Sequence, residues 1–185
     1  AANEMSVGEM RQLTSYDALD FSEDDYYRLI AAKTASLMAA ACEMGAISGA
    51  PEYRGALASY GHNLGMAFQI ADDLLDYTGT EAVTGKPTGH DLRERKVTLP
   101  LVSALERVSK KEDEEIRDFF TRIDPTDQEI ARIVDIVAEH GGLDYASEVA
   151  ERYAARARGD LKSLPDSPAV TSLFDAVSYA VDRIK

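Results

Sequence analysis

The sequence predicts an all-α protein, and two observations support that prediction. Apolar residues recur every three to four positions over most of the 185-residue chain, and no stretch alternates apolar and polar residues as a half-buried strand does. The 12 glycines and 6 prolines are too few for a linker-rich or disordered chain. Because 45% of the residues are hydrophobic, the chain can bury a core, and we expect a helical bundle.

Two long helices are predicted first. Residues 23–47 have apolar positions at the helical period, and Ser22 and Asp25 have the spacing of a reciprocal N-terminal capping box. A second helix is predicted from about residue 52 to Tyr77, ending at Gly79. At a rise of about 1.5 Å per residue, each is long enough to form a wall of a bundle.

A loop follows, and then a series of shorter helices. The segment Gly79–Asp91 is rich in glycine, proline and threonine, which predicts a mobile lid. Further on, Pro125 interrupts the helical pattern, and Thr126 with Glu129 predicts another capping box. The remaining helices are predicted over residues 98–108, 112–123, 126–140, 145–164 and 168–184.

Composition excludes several classes of function. The formal net charge of −13 leaves no basic patch to meet phosphates, so we expect no nucleic-acid partner. We find no apolar run of about 18 residues and no signal peptide, and we therefore expect no membrane span and a cytoplasmic location. The single cysteine, Cys42, cannot form a disulfide within the chain and is interpreted as a small buried hydrophobic residue.

Three aspartates lie inside an otherwise apolar helical run. Asp72 and Asp76 are one turn apart on one helix face, Asp73 is beside them, and Gln69 lies three residues before Asp72. Like charges four residues apart destabilise a helix, and oxygen ligands on a rigid helix suit a hard cation such as Mg²⁺. A solvated acidic face is the alternative, and the apolar surroundings argue against it.

The neighbouring residues give this motif a family resemblance. Residues 61–76, with Phe68-Gln69-Ile70 before the aspartates, resemble the second aspartate-rich motif of the trans-polyprenyl diphosphate synthases. The resemblance covers most of the chain and implies a helical bundle of the isoprenoid synthase type. Three further elements occur in the family's order: Lys33-Thr34-Ala35, then Gly85-Lys86-Pro87-Thr88-Gly89 with Asp91-Leu92, then Lys96-Val97-Thr98-Leu99-Pro100.

The chain departs from the family pattern in two places. The family carries two aspartate-rich motifs on facing helices, and nothing here serves as the first, since Asp24-Asp25 fits a helix start. We therefore expect residues 1–185 to be the C-terminal portion of a single polyprenyl synthase domain, inactive by itself. The second departure is Glu94-Arg95 before Lys96, where many relatives have Glu-Gly.

The resemblance implies an activity and a metal. Family members condense isopentenyl diphosphate with an allylic diphosphate to give a longer polyprenyl diphosphate, by ionisation, C–C bond formation and proton loss. In the resemblance, Asp72 and Asp76 hold one Mg²⁺, and Asp73 contributes directly or through water, so that the metal neutralises charge on the leaving diphosphate. Homodimers are usual in the family, so we expect one here.

The resemblance also implies which residues bind substrate and assist catalysis. Lys33 and Lys86 contact the diphosphate, and Lys96 does so when the loop closes. Thr34 and Gln69 present oxygens near the carbocation and, with Lys33, form the expected catalytic set. Taken singly, Lys33 also fits an exposed helix lysine, Gln69 a buried amide, and Lys86 an ordinary loop lysine.

Two other functions stay open at this point. A class I terpene cyclase shares the bundle and the acidic metal motifs, although its second metal site usually mixes Asn, Ser or Thr with Glu. A regulatory subunit of a heteromeric prenyl synthase would lack the first motif and act by pairing with an active partner. Product length stays undetermined, because the family sets it beside the first motif.

Overall fold

The structure, a computed structural model, describes residues 18–79 and 88–184. Within those two ranges every regular element is helical and no strand is present, which confirms the all-α prediction. The predicted lid, Gly79–Asp91, lies mostly outside the described residues, which include only Gly79 and the stretch from Thr88 onward.

The first long helix, α1, spans Glu23–Gly49. The predicted capping box begins it: the Asp25 backbone N–H donates to the Ser22 hydroxyl at 3.1 Å, and the Ser22 backbone N–H donates to the Asp25 carboxylate at 3.2 Å. One turn of α1, Ala31–Ala35, is π-helical. Such turns widen a helix locally and often occur at functional sites.

The second long helix, α2, spans Arg54–Thr78 after a 3₁₀ turn at Pro51–Tyr53. It ends where predicted, and the Gly79 backbone N–H closes the last turn on the Leu75 carbonyl at 2.7 Å. Both long helices were therefore placed correctly from the sequence to within a few residues.

Shorter helices follow, and their bounds show where the sequence was misleading. A helical turn over residues 90–93 was not predicted, because it lies within the expected lid. The helix predicted from residue 145 begins at Gly142, because a turn of only two residues, His140 and Gly141 (φ 69°), separates it from the preceding helix. In order, the helices are α3 (His90–Arg93), α4 (Leu99–Leu105), α5 (Lys110–Thr121), α6 (Asp127–Glu139), α7 (Gly142–Asp160) and α8 (Pro168–Asp182).

Capping boxes set the starts of α5 and α6. Thr126 and Glu129 form the predicted box at the start of α6. Ser109 and Glu112 form a second box that the sequence reading missed, and α5 consequently begins at Lys110 rather than at residue 112.

The chain divides into two compact units. The first holds the described residues of Tyr27–Ala71 and Glu148–Lys185, and the second those of Ser15–Tyr26 and Asp72–Ser147. Helices α1, α2 and α7 each contribute residues to both units. The expectation of one domain over residues 1–185 stays a prediction.

In the first unit, α1 packs closely against α2 at two glycines. A Cβ atom on Gly61 would lie 2.6 Å from the Met38 carbonyl oxygen, and one on Gly65 would lie 2.6 Å from the Ala35 Cα. Only glycine lets the two backbones approach this closely. The two long helices are therefore neighbours in this unit, as predicted.

In the second unit, α4, α5 and α6 enclose an aliphatic and aromatic core. Tyr77, at the C-terminal end of α2, is 3% exposed, and its hydroxyl accepts a hydrogen bond from the Thr98 hydroxyl at 3.3 Å. This contact fixes the end of the aspartate-bearing helix in the core. Fully enclosed members of the core include Leu92, Leu101, Ile116, Ile133 and Ile136.

The prediction that no stretch is apolar and long enough to span a membrane needs correction. Helix α1 meets that criterion by length and composition, with a mean hydropathy of 1.2, and 17% of the apolar window is buried. Many of its apolar residues are alanines, which raise hydropathy while adding little side-chain surface. Because such alanines also permit the close packing on α2, length and hydropathy alone do not assign α1 to a membrane.

Candidate active site

The π-helical turn of α1 carries the Lys-Thr pair. Lys33 and Thr34 are both partly buried within Ala31–Ala35. The Thr34 hydroxyl donates a hydrogen bond of 2.7 Å to the side-chain oxygen of Gln69 on α2. Two motifs 35 residues apart in sequence are therefore in direct contact, and both belong to the first unit.

Asp73 is buried and hydrogen-bonded to a tyrosine. It follows Gln69 by four residues on α2, so the two side chains lie on one helix face. The Asp73 carboxylate is 6% exposed and accepts a hydrogen bond of 2.6 Å from the hydroxyl of Tyr26, which is 1% exposed. A phenol that donates to a carboxylate at this distance forms a strong, charge-assisted bond. Asp73 is thus held from the Tyr26 end of α1, within the second unit.

Asp72 and Asp76 lie one turn apart on α2 with Asp73 beside them, and the three differ in burial. Asp72 is exposed, whereas Asp76 is half-buried. The Asp76 carboxylate accepts a hydrogen bond of 2.9 Å from the Asp91 backbone N–H. Burial raises the pKa of Asp76, and backbone N–H groups of Asp91 and His90 oppose that rise.

The aspartates do not form a closed metal cage by themselves. Among residues 18–79 and 88–184, no three Asp, Glu, His or Cys side chains come together in a group that could hold a metal ion. Mg²⁺ in proteins usually takes one or two carboxylates and fills its remaining positions with water and substrate phosphate. The exposed carboxylate of Asp72 fits that kind of site.

Lys96 is paired with two carboxylates. Its ammonium lies 3.1 Å from the Asp91 carboxylate and 2.6 Å from that of Glu94, and its side chain is 34% exposed. Partial burial lowers the pKa of Lys96, but hydrogen bonds and charge from Glu94 and Asp91 outweigh that effect and raise it overall. Lys96 therefore carries its positive charge at neutral pH, as a diphosphate-binding residue must.

Two predicted relationships stay predictions. Lys33 belongs to the first unit and Asp72 to the second, so the expectation that Lys33 and the metal held by Asp72 act on one diphosphate stays a prediction. Lys86, the other predicted diphosphate contact, lies outside the described residues.

Sequence reasoning missed Tyr26, and it named Asp91 and Glu94 within motifs without giving either a role in the site. A buried tyrosine seven residues before Lys33 has the spacing of two helical turns, which could have placed it on the Lys33 side of α1. No sequence spacing indicated the contacts of Asp91 and Glu94, because those contacts depend on the path of the chain around the predicted lid.

Comparison with known proteins places this arrangement in a family. The family described as Polyprenyl synthetase matches residues 1–137. The chain belongs to the polyprenyl synthetase family. Its resemblance to the trans-polyprenyl diphosphate synthases is thereby confirmed.

Individual polyprenyl synthetases match over nearly the whole chain. An all-trans-nonaprenyl-diphosphate synthase (geranyl-diphosphate specific) of Rhodobacter capsulatus is 37% identical over 98% of the chain and 56% of its own length. Component 2 of the heptaprenyl diphosphate synthase of Geobacillus stearothermophilus is 37% identical, over 97% of the chain and 56% of its own length. The chain thus spans about half the length of the curated relatives it matches.

A solved structure supports the same fold. The polyprenyl synthase of Caulobacter crescentus CB15, complexed with calcium and isoprenyl diphosphate, superposes with a TM-score of 0.91 and 37% identity. That superposition covers 99% of this chain and 56% of the other. The prediction of an all-α isoprenoid synthase fold is confirmed.

Proposed function

We propose that the protein is a trans-prenyltransferase that condenses isopentenyl diphosphate with an allylic diphosphate to give a longer polyprenyl diphosphate. The observation that best supports this is the hydrogen bond of 2.7 Å between Thr34 and Gln69, because it joins two separate family motifs at one place in the fold. Synthase names among the matched relatives support the same reaction class.

We propose Mg²⁺ as the divalent metal, and the carboxylates of the aspartate motif as its protein ligands. Asp72 is the direct ligand in this proposal, since its carboxylate is exposed. Asp73 and Asp76 belong to the same motif and are more enclosed than Asp72, and their carboxylates accept hydrogen bonds from Tyr26 and from the Asp91 backbone. When bound, the metal supplies Lewis-acid neutralisation of the leaving diphosphate.

The proposed reaction proceeds in three balanced steps. The allylic C–O bond breaks, and the bonding electron pair leaves with diphosphate, giving an allylic carbocation. The double bond of isopentenyl diphosphate then supplies the electron pair for a new C–C bond, which moves the positive charge to the isopentenyl part. Loss of a proton restores a double bond, and the released diphosphate accepts that proton, so no side chain is needed as general base.

The chain's own residues would assist the first step by charge and by position. Lys33 binds the diphosphate as a point charge, and Lys86 and Lys96 add two further cations. The oxygens of the hydrogen-bonded Thr34–Gln69 pair stabilise the developing carbocation, because fixed dipoles act strongly where water is excluded. These roles explain how a chain of net charge −13 would bind two anionic substrates.

The test is turnover of the protein as encoded, with isopentenyl diphosphate, an allylic primer and Mg²⁺, followed by sizing of the product. We expect a polyprenyl diphosphate longer than the primer. A cyclic hydrocarbon with release of diphosphate would instead support the terpene cyclase. Product length is what the experiment would establish, since no described residue sets it.

A regulatory subunit of a heteromeric synthase is the second candidate; the match to component 2 of a heptaprenyl diphosphate synthase supports pairing with a different chain and is neutral about loss of catalysis. It predicts no turnover by the encoded protein until a second, different chain is added. The first candidate predicts turnover by a homodimer without any added chain.

Three further expectations accompany the proposal. The 185 residues by themselves should give no turnover, because the resemblance implies a second aspartate-rich wall that they do not contain. Nucleic acid should not bind, given the acidic charge. A cytoplasmic location stays a prediction.

A further inference from the structure

Asp76 forms two hydrogen bonds with the segment of residues 89–96, which begins at the C-terminal end of the predicted lid. Its carboxylate accepts the Asp91 backbone N–H at 2.9 Å, and its own backbone carbonyl accepts the Gly89 backbone N–H at 2.7 Å. Both bonds lie within the second unit. Asp76, near the C-terminal end of α2, therefore holds the backbone at both Gly89 and Asp91.

Gly89 gives this segment its backbone conformation and its close packing on α6. That residue has φ 74°, in the left-handed region that glycine enters without strain. A Cβ atom on it would lie 2.3 Å from the Ile130 side chain on α6. At the other end of the segment, the Arg93 guanidinium donates to the Pro125 carbonyl at 3.0 Å. The segment is thus held by contacts with Ile130, the Pro125 carbonyl and, on α2, Asp76.

The same segment carries the cation that a diphosphate would meet. The Lys96 backbone N–H donates to the Asp91 carbonyl at 2.8 Å, and the Lys96 ammonium contacts the Asp91 carboxylate at 3.1 Å. Asp91 therefore holds Lys96 through both its backbone and its side chain, while Asp76 holds Asp91. This makes a continuous chain of contacts from α2 to the Lys96 ammonium.

We infer that Asp76 is a positioning residue, which holds Asp91 and, through it, the Lys96 ammonium in place for diphosphate, rather than a direct ligand of the metal. The inference rests on the proposed function, since it requires Lys96 to meet a diphosphate. It divides the aspartate motif by role: Asp72 faces the metal, and Asp76 anchors the segment that supplies a cation to the same substrate.

The two roles predict different behaviour for two substitutions. Asp76→Asn keeps one acceptor oxygen for the Asp91 backbone N–H, whereas Asp76→Ala removes it. A positioning role therefore predicts rescue by asparagine and loss with alanine. A ligand role predicts that both variants weaken the metal dependence, because a neutral amide is a poor ligand for Mg²⁺.

The first measurement is amide hydrogen exchange of the protein as encoded, which needs neither substrate nor activity. We expect Asp76→Ala to speed exchange at Asp91 and its neighbours at least about tenfold, as for the loss of one backbone hydrogen bond. Asp76→Asn should stay within about threefold of the parent protein. The matched control, Asp135→Ala, removes an exposed carboxylate on α6 and should leave the segment unchanged.

The second measurement is calorimetric titration with inorganic diphosphate, together with the Mg²⁺ midpoint for that binding. Asp76→Ala should weaken diphosphate binding about tenfold, while the Mg²⁺ midpoint of Asp76→Asn stays within about twofold of the parent value. Asp72→Asn is the comparator and should shift that midpoint at least about tenfold. If Asp76→Ala does not fold, the Asn variant alone still decides between the two roles.

Several outcomes would overturn the inference. A Mg²⁺ midpoint that moves as far for Asp76→Asn as for Asp72→Asn would make Asp76 a ligand. Faster exchange in Asp76→Ala with unchanged diphosphate affinity would mean that the Asp76–Asp91 hydrogen bond has only a structural role. Unchanged exchange would mean that this hydrogen bond does not hold the segment. If the parent protein binds no diphosphate, the proposed function is refuted. If the parent binds diphosphate and every Asp76 variant binds it with the same affinity, only the inference about Asp76 is refuted.

Discussion

At the scale of single residues, Asp72 differs from its neighbours in being exposed. Replacing it with asparagine keeps its shape, removes one charge and relieves like-charge repulsion along α2. We expect the melting temperature of Asp72→Asn to be unchanged or slightly raised, and its turnover to fall by about 10²- to 10³-fold, as for other preorganised electrostatic groups. A thermal melt and a turnover assay check both. Glu114→Gln on α5, which is exposed, should change neither.

For Asp73 we expect a loss of stability when its hydrogen-bond partner is removed, because its carboxylate is buried. Tyr26→Phe removes the hydroxyl that donates to it at 2.6 Å and leaves the rings otherwise alike. Loss of a buried, charge-assisted partner should lower the free energy of unfolding by about 1–3 kcal/mol. Urea denaturation measures the difference. Tyr179→Phe is the control, since Tyr179 is 74% exposed, and equal stability losses in the two variants would contradict this account.

Arg95 has a backbone conformation that glycine adopts without strain, which agrees with the glycine that the family resemblance led us to expect there. Its φ of 57° lies in the left-handed region, which costs an ordinary residue about 1–2 kcal/mol. The Arg95 guanidinium offsets part of that cost by donating to the Arg122 carbonyl at the end of α5.

Two substitutions at Arg95 separate the backbone conformation from the hydrogen bond. Arg95→Ala keeps the left-handed backbone and loses the bond, and it should be destabilised by about 1 kcal/mol. Arg95→Gly loses the same bond but relieves the backbone, so it should be more stable than Arg95→Ala by about 1 kcal/mol. Denaturant unfolding of the two variants decides it, and a less stable glycine variant would refute the interpretation.

Single-residue chemistry was only partly readable from the sequence. Thr34, Gln69 and Asp72 were singled out from motifs at fixed spacing, and their roles stay predictions. The sequence analysis placed Gln69 on the face of Asp72, whereas in the structure Gln69 and Asp73 both hydrogen-bond to α1. Spacings of three and four residues are both neighbours on a helix, and only the packed partner decides between them.

At the scale of elements, reciprocal capping controls where helices begin. Hydrogen bonds from the Ser109 hydroxyl and backbone, and then from His140, lower the pKa of Glu112 from its ordinary value of 4.5 to about 2. His140 lies at the C-terminal end of α6, so Glu112 also joins the start of α5 to that end, with 3.0 Å between its carboxylate and the His140 Nε2.

The lowered pKa of Glu112 predicts how stability depends on pH. Because the folded state favours the carboxylate, its contribution is fully present above about pH 4.5 and is lost as the pH falls toward 2. Glu112→Gln should therefore be less stable than the parent at pH 7, and the difference should shrink as the pH falls from 5 to about 2. Denaturant unfolding at several pH values measures this; a pH-independent difference would mean that the charge is irrelevant.

Element bounds were predictable where a local signal existed. Ser22 with Asp25 and Thr126 with Glu129 were read correctly, because a capping box depends only on residues three apart. Helix α3 was not, because its four residues carry no helical period and are fixed by Asp76 on a distant part of the chain. Long-range contacts of this kind are absent from any local pattern.

At the scale of the whole molecule, α1 exposes a stripe of large apolar side chains in the first unit. Leu37 is 52% exposed and Met44 is 67% exposed, and they lie on one face because they are seven residues apart. Ile47 continues the stripe at 53% exposure. Contiguous apolar surface of this kind favours association in water.

We therefore predict that the 185-residue chain, expressed alone, self-associates through this stripe. The double variant Leu37→Gln/Met44→Gln should weaken association at least about tenfold, since each side chain contributes on the order of 1 kcal/mol or more when buried. Sedimentation velocity across a concentration series measures the constant. Ile123→Gln is the matched control: Ile123 is 93% exposed, but it lies in the second unit, where no other described large apolar side chain is comparably exposed. Equal weakening by the control would mean that general surface hydrophobicity, and not the α1 stripe, drives the association.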